Sequence, residues 1–191
     1  GSHLGEAVSQ NARGHALGHV CNLGFDPSLP TARGYQSANK LNFHTDPTDL
    51  VGLMCLRIAK SGGLSSIVSA GTVYNEMLKR RPELVEELAG PIYRDRRDEI
   101  PEGKEPWWQL PIFNFYEDFL TVSAGGTYVR SAQRFEQLPR HSEALKEALA
   151  LFAELCDELS FDMEFLQGDV QILHNHVTAH SRSEFEDFPE V

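Results

Sequence analysis

The sequence predicts a mainly β fold, a β-sandwich or jelly roll with added helices. Two observations carry this prediction. Short apolar or alternating segments are separated by glycine- and proline-containing turns, which is typical of a β-rich protein. The helical segments do not alternate regularly with these strands, as they would in a doubly wound α/β sheet.

Length and composition predict one globular domain. A chain of 191 residues can bury a core without disulfides or a structural metal. Hydrophobic residues make up 41% of the chain and charged residues 24%, values that are ordinary for a globular protein. Residues 1–3, Gly-Ser-His, resemble the remainder of a cleaved expression tag, so the expected domain covers residues 4–191.

Charge, cysteine content and hydropathy indicate which partners and which cellular compartment to expect. The net charge of −11 repels nucleic-acid phosphates. Three widely spaced cysteines, Cys21, Cys55 and Cys156, form no CxxC pair, which favours a reduced cytoplasmic chain. The apolar stretches are too short to cross a bilayer, and no signal-peptide pattern opens the sequence. We therefore expect no nucleic-acid or membrane partner, and the sequence leaves a homo-oligomer open.

The first half of the chain predicts strands followed by helices. An extended segment begins at Leu41, and apolar runs over residues 50–57 and 64–69 have the length and flanking turns of buried strands. Thr72 is the predicted N-cap of a helix whose apolar residues follow helical spacing. Pro82 opens a second helix.

The second half mixes a loop, short strands and one long helix. Its charged, proline-containing segment near residues 94–108 is typical of a lid. Apolar residues at helical spacing predict an amphipathic helix over 141–159. The remaining predicted elements are short strands, at 110–115 and 119–122 as a hairpin, at 127–129, and from 170 as the last strand.

A histidine and an aspartate suggest a metal site. His44 and Asp46 are two positions apart, so in an extended segment both side chains leave the same face. A third ligand is needed, and His174, His176 and His180 are the candidates. Iron(II) held by two histidines and one carboxylate keeps an open face for a cosubstrate and oxygen. Zinc could use the same ligands with a bound water.

Two motifs resemble the taurine dioxygenase-like (TauD/TfdA) family of iron(II)- and 2-oxoglutarate-dependent dioxygenases. The first is Asn42-Phe-His-Thr-Asp, and the second runs from Gly168-Asp169 through Asn175 to His180-Ser-Arg182. The resemblance extends over residues 41–189. It implies a double-stranded β-helix, or jelly roll, with helices packed on its outer face. The implied metal ligands are His44, Asp46 and His180.

The resemblance also implies residues that contact the cosubstrate 2-oxoglutarate. Ser65 lies in a Gly-Gly turn similar to one whose hydroxyl residue touches the cosubstrate carboxylate, and Arg182 belongs to the His-x-Arg pattern. The family's arginine for the distal carboxylate is expected further along, where guanidinium binds in two-point geometry. No basic residue follows Arg182, so the expectation is a domain that lacks the C-terminal end of the family core.

The expected activity follows from the same resemblance. An iron(II) enzyme would use O2 and 2-oxoglutarate to oxidise a small organic acid or amino acid, releasing succinate and CO2, with no catalytic residue beyond the metal ligands. Because Asp46 keeps the carboxylate, the resemblance implies hydroxylation, desaturation or a related C–H oxidation rather than halogenation.

Two other functional classes remain open. One is a zinc-dependent hydrolase. His176 and His180 have the spacing of a helical zinc motif, but Val177 stands where that motif needs glutamate. The other is a noncatalytic jelly-roll binding module. In both the iron and the noncatalytic interpretations, His174 and His176 have supporting or structural roles, and Asn175 holds their turn through side-chain hydrogen bonds.

Overall fold

A computed structural model describes residues 3–10, 14–24 and 33–189. Residues 1 and 2 of the predicted tag remnant lie outside the described part of the chain. Residues 3–10 and 14–24 contain no helix or strand. Cys21, Cys55 and Cys156 are free thiols.

The described chain is mainly β with four α-helices. The helices are α1 (Ala70–Arg80), α2 (Pro82–Ala89), α3 (Gly126–Ser131) and α4 (Glu143–Glu158). None of the helices in the described residues has the length and apolar character to cross a membrane. The strands are β1 (Leu41–His44), β2 (Leu50–Met54), β3 (Ser61–Gly62), β4 (Ser65–Ser69), β5 (Tyr93–Asp95), β6 (Trp107–Gln109), β7 (Phe113–Tyr116), β8 (Phe119–Val122), β9 (Phe161–Met163), β10 (Val170–His174), β11 (Thr178–Arg182) and β12 (Phe185–Glu186).

Two sheets form the layers that surround the candidate site. The larger is antiparallel, with strand order β1-β11-β4-β9, and the smaller pairs β10 with β2. A buried hydrogen bond joins the layers, in which the Ser65 hydroxyl of β4 donates to the Gln171 side-chain oxygen of β10 at 3.3 Å. The shorter β3–β12 and β5–β6 pairs and the β7–β8 hairpin flank this arrangement.

The two faces of the larger sheet have different neighbours. Ala179 of β11 and Val68 of β4 are register partners, and both belong to the apolar core with the helices. Their neighbours His180 and Ile67 are also partners, and alternation along a strand turns them to the opposite face. The helices therefore pack against one face of the larger sheet. His180 projects from the other face, which lies toward the smaller sheet.

Helices α1, α2 and α4 supply most of the core on the outer face of the larger sheet. Their apolar residues recur at helical spacing, and Val73, Met77, Leu88 and Leu155 are fully buried. Serine caps begin two of these helices: Ser142 accepts a hydrogen bond from a backbone N–H of α4, and Ser69 accepts one from α1.

Several predicted elements are confirmed and three details are wrong. The hairpin, the strands near residues 50 and 65, and the α2 start at Pro82 are present. The strand predicted from residue 170 is not the last one, because β10 ends at His174 and β11 and β12 follow it after a turn. Residues 127–129 are not a strand but part of α3, in which Val129 is fully buried. The prediction failed because three residues are too few to distinguish the period of a strand from that of a helix. Thr72 is not the N-cap of α1, since its backbone N–H donates to the Ser69 side chain.

The predicted lid is bounded by two paired strands. Its ends belong to β5 and β6, which leaves residues 96–106 as the connecting loop. Asp95, at the base of this loop, is fully buried and receives hydrogen bonds of 2.8 and 3.1 Å from the Arg134 guanidinium. Arg134 also contacts Asp98 of the loop at 2.7 Å. The base of the loop is thereby attached to the 3-10 helix Ala132–Arg134.

We expect Leu88→Ala to destabilise the fold by about 2–5 kcal/mol, because it removes a fully buried side chain and leaves a cavity. Leu78→Ala is the matched control, since Leu78 is 46% exposed on α1, and it should change the free energy of unfolding by about 0.5 kcal/mol or less. Urea denaturation measures both values. Equal losses for the two variants would contradict the assignment of the core.

Candidate metal centre

The structure brings three of the predicted site residues together. One donor atom from each of His44, Asp46 and His180 lies within 4.8 Å of the other two. Nε2 of His180 is 3.4 Å from Oδ2 of Asp46, and the two imidazole rings have centroids 4.3 Å apart. Within the described residues, this is the one group of three His, Cys, Asp or Glu side chains arranged to hold a metal ion.

Strand pairing creates this proximity. β1 and β11 are antiparallel, and His44 lies directly opposite His180 in their register. Thr45 follows the end of β1, and its backbone N–H donates to the Ala124 carbonyl at 3.0 Å. Asp46 lies just beyond the end of the strand, and its carboxylate still meets the imidazole of His180, as the proximity predicted from the two-residue spacing requires.

The other two late histidines are outside the cluster. His174 and His176 lie near each other, with ring centroids 5.4 Å apart, and Nε2 of His176 is 2.8 Å from Oδ1 of Asp49. His176 occupies a turn, whereas His180 is in a strand, so the pair does not form a helical zinc motif. Neither histidine belongs to the candidate metal cluster, and their supporting or structural role stays a prediction.

The environment of His44 favours a neutral imidazole. Burial lowers the pKa of His44, and electrostatic repulsion from His180 lowers it further. Nδ1 of His44 is 2.9 Å from the Asn42 carbonyl oxygen, so it can donate its proton there and leave Nε2 for a metal. A neutral ring is the form that binds metal ions.

The environment of Asp46 favours an ionised carboxylate. Burial acts to raise the pKa of Asp46, but the hydrogen bond from His180 and the attraction of both imidazoles lower it below its ordinary value. His180 itself is 7% exposed, and its buried Nδ1 has no hydrogen-bond partner in the described residues. Two imidazoles and one carboxylate match the donor set of iron(II) oxygenases, so the residues present fit that metal.

The predicted cosubstrate contacts lie on the same sheet face as His180. Ser65 and Arg182 are register partners, and Arg182 is two residues beyond His180 on β11. Nη2 of Arg182 donates to the carbonyls of Ser37 and Asn39, both at 2.7 Å, and its Nη1 is buried without a partner in the described chain. Burial lowers the pKa of Arg182. Their contact with a cosubstrate stays a prediction.

A buried arginine supports the segment that lies against His44. Arg94 is 3% exposed, and it donates to the carbonyls of Leu110, Pro111 and Ser123 at 3.2, 3.1 and 2.6 Å. Burial lowers the pKa of Arg94 to about 10. A Cβ added at Gly125, which bridges His44, would lie 2.7 Å from Nη1 of this guanidinium.

Sequence analysis did not predict that Gln171 and Arg94 contact residues around the candidate metal centre. Gln171 is buried and accepts the Ser65 hydrogen bond, and the alternation of β10 could have indicated its inward direction. Arg94 carries no comparable signal, because its partners are backbone carbonyls distant in sequence.

Comparison with known proteins decides the family. A profile of the family described as "Taurine catabolism dioxygenase TauD, TfdA family" matches residues 2–190. The chain belongs to the TauD/TfdA family. The predicted resemblance is thereby confirmed, and with it the assignment to a family of non-haem iron, 2-oxoglutarate-dependent oxidoreductases.

Two named proteins are similar to this chain in sequence. FR-33289 synthase of Streptomyces rubellomurinus is 32% identical over 197 residues, covering 98% of this chain and 56% of the relative. The taurine hydroxylase-like protein SAT17 of Stachybotrys chartarum is 35% identical over 152 residues, covering 76% of this chain and 37% of the relative. The chain thus spans about half or less of the length of these two relatives.

Solved structures confirm the predicted fold class. Asparagine oxygenase, in complex with Fe(II), 2S,3S-3-hydroxyasparagine and succinate, has a TM-score of 0.64 at 20% identity, covering 86% of this chain and 50% of that one. The non-heme iron oxygenase OrfP, in complex with Fe and alpha-ketoglutaric acid, has a TM-score of 0.56 at 18% identity, covering 80% and 46%. The described chain shares their TauD-like double-stranded β-helix.

The lowered pKa of His44 predicts a pH effect on the metal-free protein. The unfolded chain binds a proton at His44 below about pH 6.5, whereas the folded state resists this protonation, so stability falls as the pH drops through this range. His44→Asn removes this contribution and should reduce the loss of stability between about pH 7 and 5. Urea denaturation at the two pH values measures it. An unchanged loss in the variant would contradict a neutral, buried His44.

Proposed function

We propose that this protein is an iron(II)- and 2-oxoglutarate-dependent oxygenase whose metal ligands are His44, Asp46 and His180. The observation that carries the proposal is the convergence of these donor atoms within 4.8 Å on the fold of the TauD/TfdA family. When bound, iron(II) supplies the redox chemistry that couples conversion of 2-oxoglutarate and O2 to succinate and CO2 with oxidation of a substrate C–H bond.

The protein's own residues contribute ligation and orientation. His44 and Asp46 have pKa values shifted in the directions that keep the imidazole neutral and the carboxylate ionised near pH 7. His180 lies opposite His44 because both residues belong to paired strands, so neither depends on a loop for its position. His44 and Asp46 therefore need no deprotonation when the metal enters.

Ser65 and Arg182 are the proposed cosubstrate contacts. Both are on the sheet face that carries His180, and the unpartnered Nη1 of Arg182 is a hydrogen-bond donor that suits a carboxylate. The Ser65 hydroxyl donates to Gln171, so it would exchange that partner for the cosubstrate carboxylate. Arg182 is also attached to backbone carbonyls near residues 37–39, which limits its movement. Reach to the cosubstrate would then come from a small adjustment of the guanidinium.

We propose a small organic acid or amino acid as substrate, with hydroxylation or desaturation as the outcome. Two structural neighbours support the class, since one contains hydroxyasparagine and another was solved with (3S)-hydroxy-L-Arg. The carboxylate of Asp46 supports an outcome other than halogenation, because halide binding at the metal requires that ligand position to be vacant.

Anaerobic titration tests this proposal. Iron(II) and 2-oxoglutarate together should produce a weak visible charge-transfer band, and admission of air should then yield succinate. His180→Ala should abolish the band. It should also weaken metal binding by more than about 100-fold, because loss of a residue that only supports a ligand already weakens binding by about 10- to 100-fold. His174→Ala is the matched control, because it removes a nearby histidine outside the cluster.

The variants separate the competing functions. A band that persists in His180→Ala would contradict the proposed ligand set. Absence of the band in the unmodified protein, combined with tight zinc binding, would favour a hydrolase instead. Absence of binding by either metal would favour a noncatalytic jelly roll.

A further inference from the structure

We propose that Asn175 is a positioning residue for the metal centre, which fixes Asp46 by binding the backbone that carries it. This inference rests on the proposed iron site and deepens it. Asn175 lies in the turn between β10 and β11, five residues before His180, and does not itself belong to the ligand cluster. Its effect would reach the metal through Asp46.

Asp46 needs support because it lies beyond the strand that orients His44. β1 ends at His44, and the 3.0 Å bond from the Thr45 N–H to Ala124 is the next backbone contact after the strand. The backbone N–H of Asp46 then donates to Oδ1 of Asn175 at 3.3 Å. Position and direction of the carboxylate therefore depend on a side chain from another part of the sequence.

Asn175 also holds the residues that follow Asp46. Its Nδ2 donates to the Thr48 carbonyl at 3.1 Å and to the Thr48 hydroxyl at 3.2 Å. Its own backbone N–H donates to the Asp49 carbonyl at 3.0 Å. One residue thus binds both ends of the turn over residues 46–49 while offering an acceptor and donors, which is a combination that an amide side chain provides.

Burial makes these hydrogen bonds consequential. Asn175 is 2% exposed, so water cannot replace its side chain as a partner for the turn without a rearrangement. β11 follows directly and is fixed between β1 and β4, which gives the Asn175 turn a rigid base. The same short turn therefore connects the position of Asp46 to that of His180.

A surface contact between the same segments provides an internal comparison. Nε2 of His176 lies 2.8 Å from Oδ1 of Asp49, next to the Asn175 contacts but with exposed side chains. Exposed pairs of this kind contribute little to structure. If Asn175 acts by positioning Asp46, its loss should affect metal binding, whereas loss of His176 should not.

The experiment compares three variants of the full chain with the unmodified protein. Asn175→Ala and Asn175→Leu remove the side-chain hydrogen bonds, and leucine keeps most of the side-chain volume. His176→Ala is the control. Calorimetric titration with Co(II), as an oxygen-stable probe, measures affinity, and hydrogen exchange at the Asp46 amide reports on the turn in the metal-free protein. Urea denaturation selects conditions in which every variant is folded.

We expect both Asn175 variants to bind Co(II) about 10- to 100-fold more weakly, with faster exchange at the Asp46 amide and an altered Co(II) absorption spectrum. His176→Ala should match the unmodified protein. Unchanged affinity in both folded Asn175 variants would overturn the inference, as would equal weakening by His176→Ala.

The two proposals fail in distinguishable ways. If the unmodified protein binds no Co(II), the metal site itself is wrong. In that case the exchange rate of the Asp46 amide still decides whether Asn175 holds the turn, since this measurement requires no metal.

Discussion

The antiparallel pairing of β1 with β11 is the constraint on which the site depends. It places His44 opposite His180, although these residues are far apart in the chain. The opposite face of the same sheet packs against the helices through Val68 and Ala179. Because a one-residue shift in register would exchange the two faces, core packing and ligand geometry are coupled. The apolar core thus fixes β11, the strand that carries His180 of the candidate metal centre on its other face.

Buried polar contacts add to the positioning of the site residues that strand pairing provides. Asn175 binds the turn that carries Asp46, and Arg94 binds the carbonyl of Ser123 close to the segment that bridges His44. Both side chains are almost completely buried, so their partners must be satisfied within the protein. Arg94 has only carbonyl partners in the contacts described above, and burial lowers its pKa as expected for a cation removed from water. The site is therefore supported by two buried polar side chains, since Asn175 accepts from the Asp46 N–H and Arg94 donates to the Ser123 carbonyl.

The electrostatics of the cluster match the needs of a divalent cation. Burial keeps His44 neutral, while the neighbouring imidazoles favour the ionised form of Asp46. A metal would add the positive charge that this carboxylate and the two ring nitrogens are arranged to meet. Arg182 and Ser65 continue along the same face, which supports the proposal of an adjacent site for an acidic cosubstrate.

Local patterns in the sequence determined the mainly β class, the long amphipathic helix and the pairing of His44 with Asp46, because each depends on periodicity or close spacing. They could not distinguish a strand from the short helix α3 at 127–129, and they did not separate β11 from β10 across the Asn175 turn. Family resemblance selected His180 over His174 and His176. Only the tertiary structure decided how these residues meet, since strand register and buried hydrogen bonds join segments that no local pattern connects.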